Sequence, residues 1–212
     1  MSTPDPINDR FLSGLVGCMC LSVASFGITL AWENEIGSLY NTYFLWDEHQ
    51  KNLYVPLLTS IGVGGIMIGT FTANLLVGYG RRKTILISQC VALAGALLNY
   101  FLNIWALVAA RFVYGVATGL TIVAVSLYFS ETIPASRTGR YGFAINFGIV
   151  TGITIMLCLG LVKPGSDADK HTVTVALNLF NLVPVILCAL VMLLWLAVFR
   201  FEPTDYCIKN IN

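Results

Sequence analysis

The chain has 212 residues, of which 57% are hydrophobic and only 11% are charged, and its mean hydropathy is +0.78. Soluble domains carry about 25% charged residues, so this composition excludes a soluble globular enzyme, a disordered protein and a basic nucleic-acid-binding domain. The formal net charge is +1, so partners must be inferred from where the charges lie. We expect membrane lipids around the chain and no nucleic acid.

Long stretches without Asp, Glu, Lys or Arg predict the membrane helices, because a span needs about 20 mostly apolar residues. The region 84–130 carries only one charge, Arg111, and is too long for one helix, so we expect a hairpin that turns near Asn103 and Trp105. The predicted helices lie at about 11–32, 54–77, 84–103, 106–129, 141–162 and 175–199, between polar tails at 1–10 and 200–212. The sequence therefore predicts an all-α integral membrane fold with six transmembrane helices.

The residue types needed for catalysis or metal binding do not form any recognisable pattern. Five of the six cysteines lie in apolar runs, no C-x-x-C is present, and His49 and His171 are isolated in polar segments. No nucleophile–base pair or phosphate-binding loop is found either. We therefore expect no enzyme activity, no catalytic residue, no metal site, no disulfide and no cofactor.

The positive charges predict the orientation, because Lys and Arg are enriched in the short loops on the inner side of a membrane. If the N-terminus is inside, eight cations lie on the inner side, namely Arg10, Arg81, Arg82, Lys83, Arg137, Arg140, Arg200 and Lys209. Three lie outside, namely Lys51, Lys163 and Lys170. Both termini are therefore predicted on the cytoplasmic or matrix side, and both the plasma membrane and the mitochondrial inner membrane fit this topology.

Two charged loops follow the second and fourth helices on this inner side. The first reads Gly80-Arg81-Arg82-Lys83, which either sets the topology or belongs to an ion-pair network. In the second, Glu131 ends the fourth helix before Pro134 and is followed by Arg137 and Arg140. Glu131 can pair with either of these arginines or with the Arg81/Arg82 loop. The alternative is a solvated loop with ion pairs worth about 0–1 kcal/mol each.

Arg111 is the one charge placed within a predicted span, and Gly115 and Gly119 follow it at four-residue spacing. A charge within a span is costly, so it normally faces the bundle interior with a partner. We expect that partner to be Glu131 or a neighbouring bundle residue. The alternative is an arginine that snorkels from a helix end. The glycines would let helices approach closely.

In this order, these motifs resemble the N-terminal half of a sugar porter of the major facilitator superfamily. The residues that carry the resemblance are Gly64-Gly65 before G-R-R-K, Arg111-x-x-x-Gly115-x-x-x-Gly119, Tyr128-x-x-Glu131-x-x-Pro134 with Gly139, and Gly152. The resemblance implies half of a two-part bundle, itself built as a 3+3 inverted repeat, with substrate bound between the halves.

The resemblance also implies roles for individual residues. Asn146 falls at the family's sugar-binding glutamine on the fifth helix, and Thr29 falls at the aspartate that proton-coupled members carry on the first. Both are expected to contact substrate if the chain is a transporter. Gly115, Gly119 and Gly152 are expected at helix contacts. The implied inner-side charge network comprises Arg81, Arg82, Arg111, Glu131, Arg137, Arg140 and Glu202.

Departures from the family pattern leave two functions open. At three positions of the inner network the family carries a different charged or polar residue, namely at Val77, Thr138 and Asp205. Together with the presence of one half only, these changes favour a non-transporting accessory subunit of a larger membrane complex, with other membrane subunits as partners. The alternative is a carrier of sugar or another small polar solute that works as a homodimer or with a second six-helix half.

Overall fold

The computed structural model describes residues 9–133, 135–165 and 169–197, and the regular elements in these ranges are helices. They are α1 (Asp9–Phe44), α2 (Glu48–Leu76), α3 (Arg81–Leu98), α4 (Ile104–Thr132), α5 (Ala135–Tyr141), α6 (Ala144–Gly160) and α7 (Lys170–Ala197). A 3-10 turn, Val77–Tyr79, joins α2 to α3.

Local side-chain contacts fix where two of the helices begin. Asp47 caps α2, since its carboxylate accepts from the Glu48 backbone N–H at 2.9 Å. In turn, the Asp47 backbone N–H donates to Oε1 of Gln50. Asn103 caps α4 by accepting from the backbone N–H of Trp105 at 3.0 Å. Both residues satisfy N–H groups that a helix start leaves without a partner.

Five helical segments in the described ranges are long and apolar enough to cross a membrane, where the sequence predicted six. They are Leu12–Trp32, Glu48–Tyr79, Ile104–Thr132, Arg137–Gly160 and Lys170–Ala197. The difference is α3, which has only 18 residues and begins with Arg81, Arg82 and Lys83. Its remaining apolar part, 84–98, is shorter than the roughly 20 residues that a span normally needs.

Helix α1 is longer than predicted. It was expected to end near residue 32 and to lead into an outer loop, but it continues for 36 residues to Phe44. The extension is stabilised by burial of Ile36, Leu39 and Tyr40 against the bundle. Leu45, with φ 52°, ends the helix. Acidic residues end a charge-free stretch of sequence, but they do not end a helix.

The two central helices are α1 and α4, which are the most buried of the candidate spans. Helix α6 packs along α1, and α2 packs along α4. Helices α3 and α7 contact each other, and they pack on α4 and α1 respectively. The bundle therefore has an apolar core that follows α1 and α4, while α2 and α6 keep wide exposed faces.

Candidate functional site

An ion pair joins the start of α3 to the end of α4. Arg81 donates to Oε1 of Glu131 from Nη2 at 2.7 Å and from Nε at 3.0 Å. The two side chains are 25% and 30% exposed, so the pair contributes about 0–1 kcal/mol to stability. The sequence left several arginines as possible partners of Glu131. Arg81 makes the contact because α3 packs against α4.

Arg82 stabilises a different helix end. Its Nη2 donates to the carbonyl oxygen of Trp195 at 2.8 Å, near the end of α7. Carbonyl groups in the last turn have no partner within their own helix, and the helix dipole favours a cation there. Arg81 therefore holds α3 to α4, and Arg82 holds α3 to α7. Both contacts form although Val77 departs from the family pattern.

The remaining residues of the predicted charge network are more dispersed. Arg137 is half-buried on α5, and Arg140 is exposed with its guanidinium carbon 5.7 Å from the centre of the Tyr141 ring. The Tyr141 hydroxyl lies 3.0 Å from Oγ of Ser13, which fixes α5 against α1. Glu202 lies outside the described residues, as does Asp205, so their place in the network stays a prediction.

Arg111 lies inside the bundle and is only 3% exposed. Its guanidinium carbon is 4.2 Å from the centre of the Trp32 ring, and its Nη2 donates to the Thr29 carbonyl oxygen at 3.4 Å. Glu131 is twenty residues further along the same helix, about 30 Å away, so it does not pair with Arg111. Among the described contacts of Arg111 is the electron-rich face of Trp32, which attracts the cation.

The two residues expected to contact substrate lie in different environments. Thr29 is buried between α1 and α4, where its hydroxyl donates to the Ser25 carbonyl at 2.9 Å and lies 3.3 Å from Oγ1 of Thr118. Asn146 is exposed on α6. The structure therefore keeps Asn146 available to a ligand and places the Thr29 side chain in the helix interface.

Glycines form the closest helix contacts. A Cβ atom added to Gly115 or Gly119 of α4 would overlap the backbone of α2, and one added to Gly152 of α6 would overlap the backbone of α1 at Ala24. Gly65 and Gly69 of α2 meet α4 in the same way. All three glycines singled out in the sequence thus lie where two helix backbones touch.

Sequence reasoning missed the buried polar contacts that link the outer helices to the central pair. Trp195 of α7 donates from Nε1 to Oγ of Ser22 on α1 at 2.9 Å. On the other side, Thr121 of α4 donates to Oγ of Ser88 on α3 at 2.8 Å, and Gln89 donates to Thr121 at 3.3 Å. The available signal was the presence of Ser, Thr and Gln within apolar helices.

Comparison with known proteins decides the family. The sequence matches the family model described as "Sugar (and other) transporter" over residues 15–196, which is most of the chain. The chain belongs to this sugar transporter family. The resemblance carried by the motifs is thereby confirmed, and the chain is an integral, multi-pass membrane protein.

Members of the sugar transporter family with similar sequences are longer than this chain. The facilitated glucose transporter member 1 of Gallus gallus is 38% identical over 163 residues, which cover 69% of this chain and 33% of that protein. Hexose transporter 1 of Toxoplasma gondii is 28% identical over 166 residues, covering 74% of this chain and 29% of the relative. The chain thus spans about a third of the curated relatives it matches.

Solved structures show the same fold. A D-xylose–proton symporter superposes with a TM-score of 0.78 at 17% identity, over 93% of this chain and 50% of the symporter. A proton:xylose symporter of the major facilitator superfamily, bound to 6-bromo-6-deoxy-D-glucose, also gives 0.78 at 17% identity, over 91% of this chain and 46% of its own. The helices of this sugar transporter family member therefore have the arrangement of about half of such a symporter.

Proposed function

We propose that this chain forms one six-helix half of a sugar porter and lines one side of a path for a sugar or another small polar solute. A second six-helix bundle closes the other side of the path, either as a second copy of this chain or as another half. The observation that carries the proposal is the superposition of 93% of this chain on half of a D-xylose–proton symporter. A path that opens alternately to two sides needs walls from both halves.

The proposal includes α3 as a sixth span. Helix α3 packs along α4 and α7, and its Thr84, Ser88 and Ala96 are buried. Its three leading cations would lie at the headgroups, where long basic side chains reach water while the helix enters the apolar layer. The basic loops then lie on the cytoplasmic or matrix side, together with both termini.

The helix pairings support the proposed 3+3 repeat. In such a repeat, α1 corresponds to α4, α2 to α6, and α3 to α7. The observed contacts fit this correspondence, because the α1–α6 contact matches the α4–α2 contact, and the α1–α7 contact matches the α4–α3 contact. The close glycine contacts follow the same exchange, since Gly65 meets α4 and Gly152 meets α1. The Thr29–Thr118 contact lies where α1 meets its counterpart α4.

Asn146 is the residue that we propose contacts the solute. It is exposed on α6, which packs mainly along α1 and keeps a wide exposed face. An amide offers both a donor and an acceptor, which suits sugar hydroxyls. Thr29 has a different role, because its carbonyl accepts from Arg111 and its side chain holds α1 to α4.

A non-transporting accessory subunit remains the other hypothesis. It was based in part on Val77, Thr138 and Asp205, but the contacts of Arg81 with Glu131 and of Arg82 with Trp195 are present despite the first two changes. None of the described contacts favours the accessory role over transport. We therefore place it second.

Uptake of labelled sugar into proteoliposomes tests the proposal. Asn146→Ala should lower uptake about fivefold or more, because a buried solute hydroxyl left without a partner costs about 1–3 kcal/mol. Asn178→Ala, the same change on the exposed face of α7, is the matched control and should keep wild-type uptake. Equal uptake by the two variants would contradict the role of Asn146. Absence of uptake by the wild type, where the Gallus gallus relative is active, would contradict transport.

A further inference from the structure

One end of the bundle carries most of its positive charge. Among the residues whose side chains are described, arginine and lysine there outnumber carboxylates five to one. We call this group the basic rim: Arg81, Arg82, Lys83, Arg137 and Arg140, beside Glu131. The opposite end is nearly balanced, with Lys51, Lys163 and Lys170 beside Glu35, Asp47, Glu48 and Asp169. The two ends therefore differ in the lipid headgroups that they attract.

Two members of the basic rim extend towards the surroundings. Arg81 binds Glu131 and Arg82 binds the Trp195 carbonyl, but Lys83 and Arg140 are exposed. Lys83 also lies in the first turn of α3, at the positive end of that helix dipole, where another cation is unfavourable without an anion nearby. The exposed cations Lys83 and Arg140 therefore favour anions at this rim.

Exposed aromatic residues flank both parts of the basic rim. Tyr79 is 78% exposed just before the cations that begin α3, and Phe143 is 62% exposed just after Arg140. Tyrosine and tryptophan side chains of membrane proteins concentrate at the level of the headgroups, whereas an exposed phenylalanine is compatible with the apolar layer. Tyr79 therefore favours a depth of the bundle at which the cations that begin α3 lie near lipid phosphates.

We propose that the basic rim binds anionic phospholipid headgroups in the leaflet on its side of the membrane, in preference to zwitterionic ones. The preference follows from the headgroup's net charge, since each exposed cation near an anionic surface is worth roughly fivefold in binding. This interaction is independent of transport and would hold for the accessory function as well. Phosphatidylserine is the probe for it.

Native mass spectrometry of the complete chain, released from nanodiscs that contain equal phosphatidylserine and phosphatidylcholine, tests this proposal. The wild type should retain phosphatidylserine preferentially, and Lys83→Gln should reduce that preference by roughly fivefold. Lys51→Gln is the matched control, since it removes an equally exposed lysine from the opposite end. Adding Arg140→Gln to Lys83→Gln should reduce the preference further.

Three results would overturn the proposal. The first is a wild type without preference, and the second is an equal loss of preference in the Lys83→Gln and Lys51→Gln variants. The third is full displacement of phosphatidylserine by millimolar inorganic phosphate, which would identify a site for the free ion rather than for a lipid. Partial loss in high salt, restored on dilution, would support the proposal because salt screens such exposed charges.

Discussion

Arg111 shows how a membrane protein can keep a charge inside a helical bundle. The residue is almost fully buried, and its guanidinium carbon lies over the Trp32 ring while the group donates to a carbonyl of α1. Gly62 of α2 leaves room beside it, because a Cβ there would come within 3.4 Å of Nη2. The planar shape of the guanidinium allows stacking and hydrogen bonding at the same time, which a lysine ammonium cannot reproduce.

Arg111→Lys should therefore destabilise the bundle although the charge is kept. A desolvated cation–π contact is worth about 2 kcal/mol, and much of it should be lost. Thermal unfolding in detergent, followed by exposure of the cysteine thiols, measures the effect. Arg140→Lys is the matched control, because that guanidinium is exposed and 5.7 Å from its ring. Equal unfolding temperatures for the two variants would contradict this account of Arg111.

At the scale of elements, glycine faces decide which helices pair. In the α2–α4 contact, Gly65 and Gly69 lie against the α4 backbone, and Gly115 and Gly119 lie against the α2 backbone. In lipid, apolar side chains gain little by meeting each other instead of acyl chains, and close backbone packing becomes the main source of helix association. The pairing of helices is therefore encoded by small residues more than by hydrophobic ones.

Two adjacent glycines of α2 test this directly. Gly65→Ala places a Cβ 2.5 Å from the Phe112 carbonyl oxygen of α4, whereas Gly64→Ala meets nothing within 4 Å. Overpacking should cost Gly65→Ala about 1–3 kcal/mol. Gly64→Ala should be neutral or stabilise by up to about 1 kcal/mol, since alanine favours helix. Both are measured by thermal unfolding, and a Gly65→Ala variant as stable as Gly64→Ala would refute the close contact.

Charge-free stretches predict apolar cores of helices but not where helices end. The extension of α1 to Phe44 could not be predicted, because it depends on burial of Tyr40 by other parts of the bundle. The same limit applies to α3, whose cations are part of the helix itself. Hydropathy measures lipid compatibility, whereas helix length is set by packing and by caps such as Asp47.

The candidate site was predictable to a similar degree. Motif spacing placed Glu131 on the same side as several arginines, and only the packing of α3 against α4 shows that Arg81 is its partner. Burial of Arg111 was expected from the cost of a charge in a span. Trp32 as its partner was not, because that contact depends on the rotation of α1 against α4.

The whole molecule has a closely packed centre and an apolar periphery. The centre is formed by α1 and α4, whereas α2 and α6 expose large side chains such as Phe71 and Phe147. A groove of about 600 Å³ runs between α1 and α6 beside Phe147. Lipid can cover such faces, but a solute path also needs a polar lining closed by a second bundle. Transport by this bundle therefore depends on its association with a second one.

The most direct test is the native mass of the chain in gently solubilised source membranes, with its partners identified by mass spectrometry. If the chain transports solute, we expect a particle that contains two six-helix bundles, either two copies of this 23.1 kDa chain or this bundle with a second half. A lone bundle would contradict it, and so would a band of several hundred kilodaltons with other subunits in fixed stoichiometry. The latter result would establish the accessory function in place of transport.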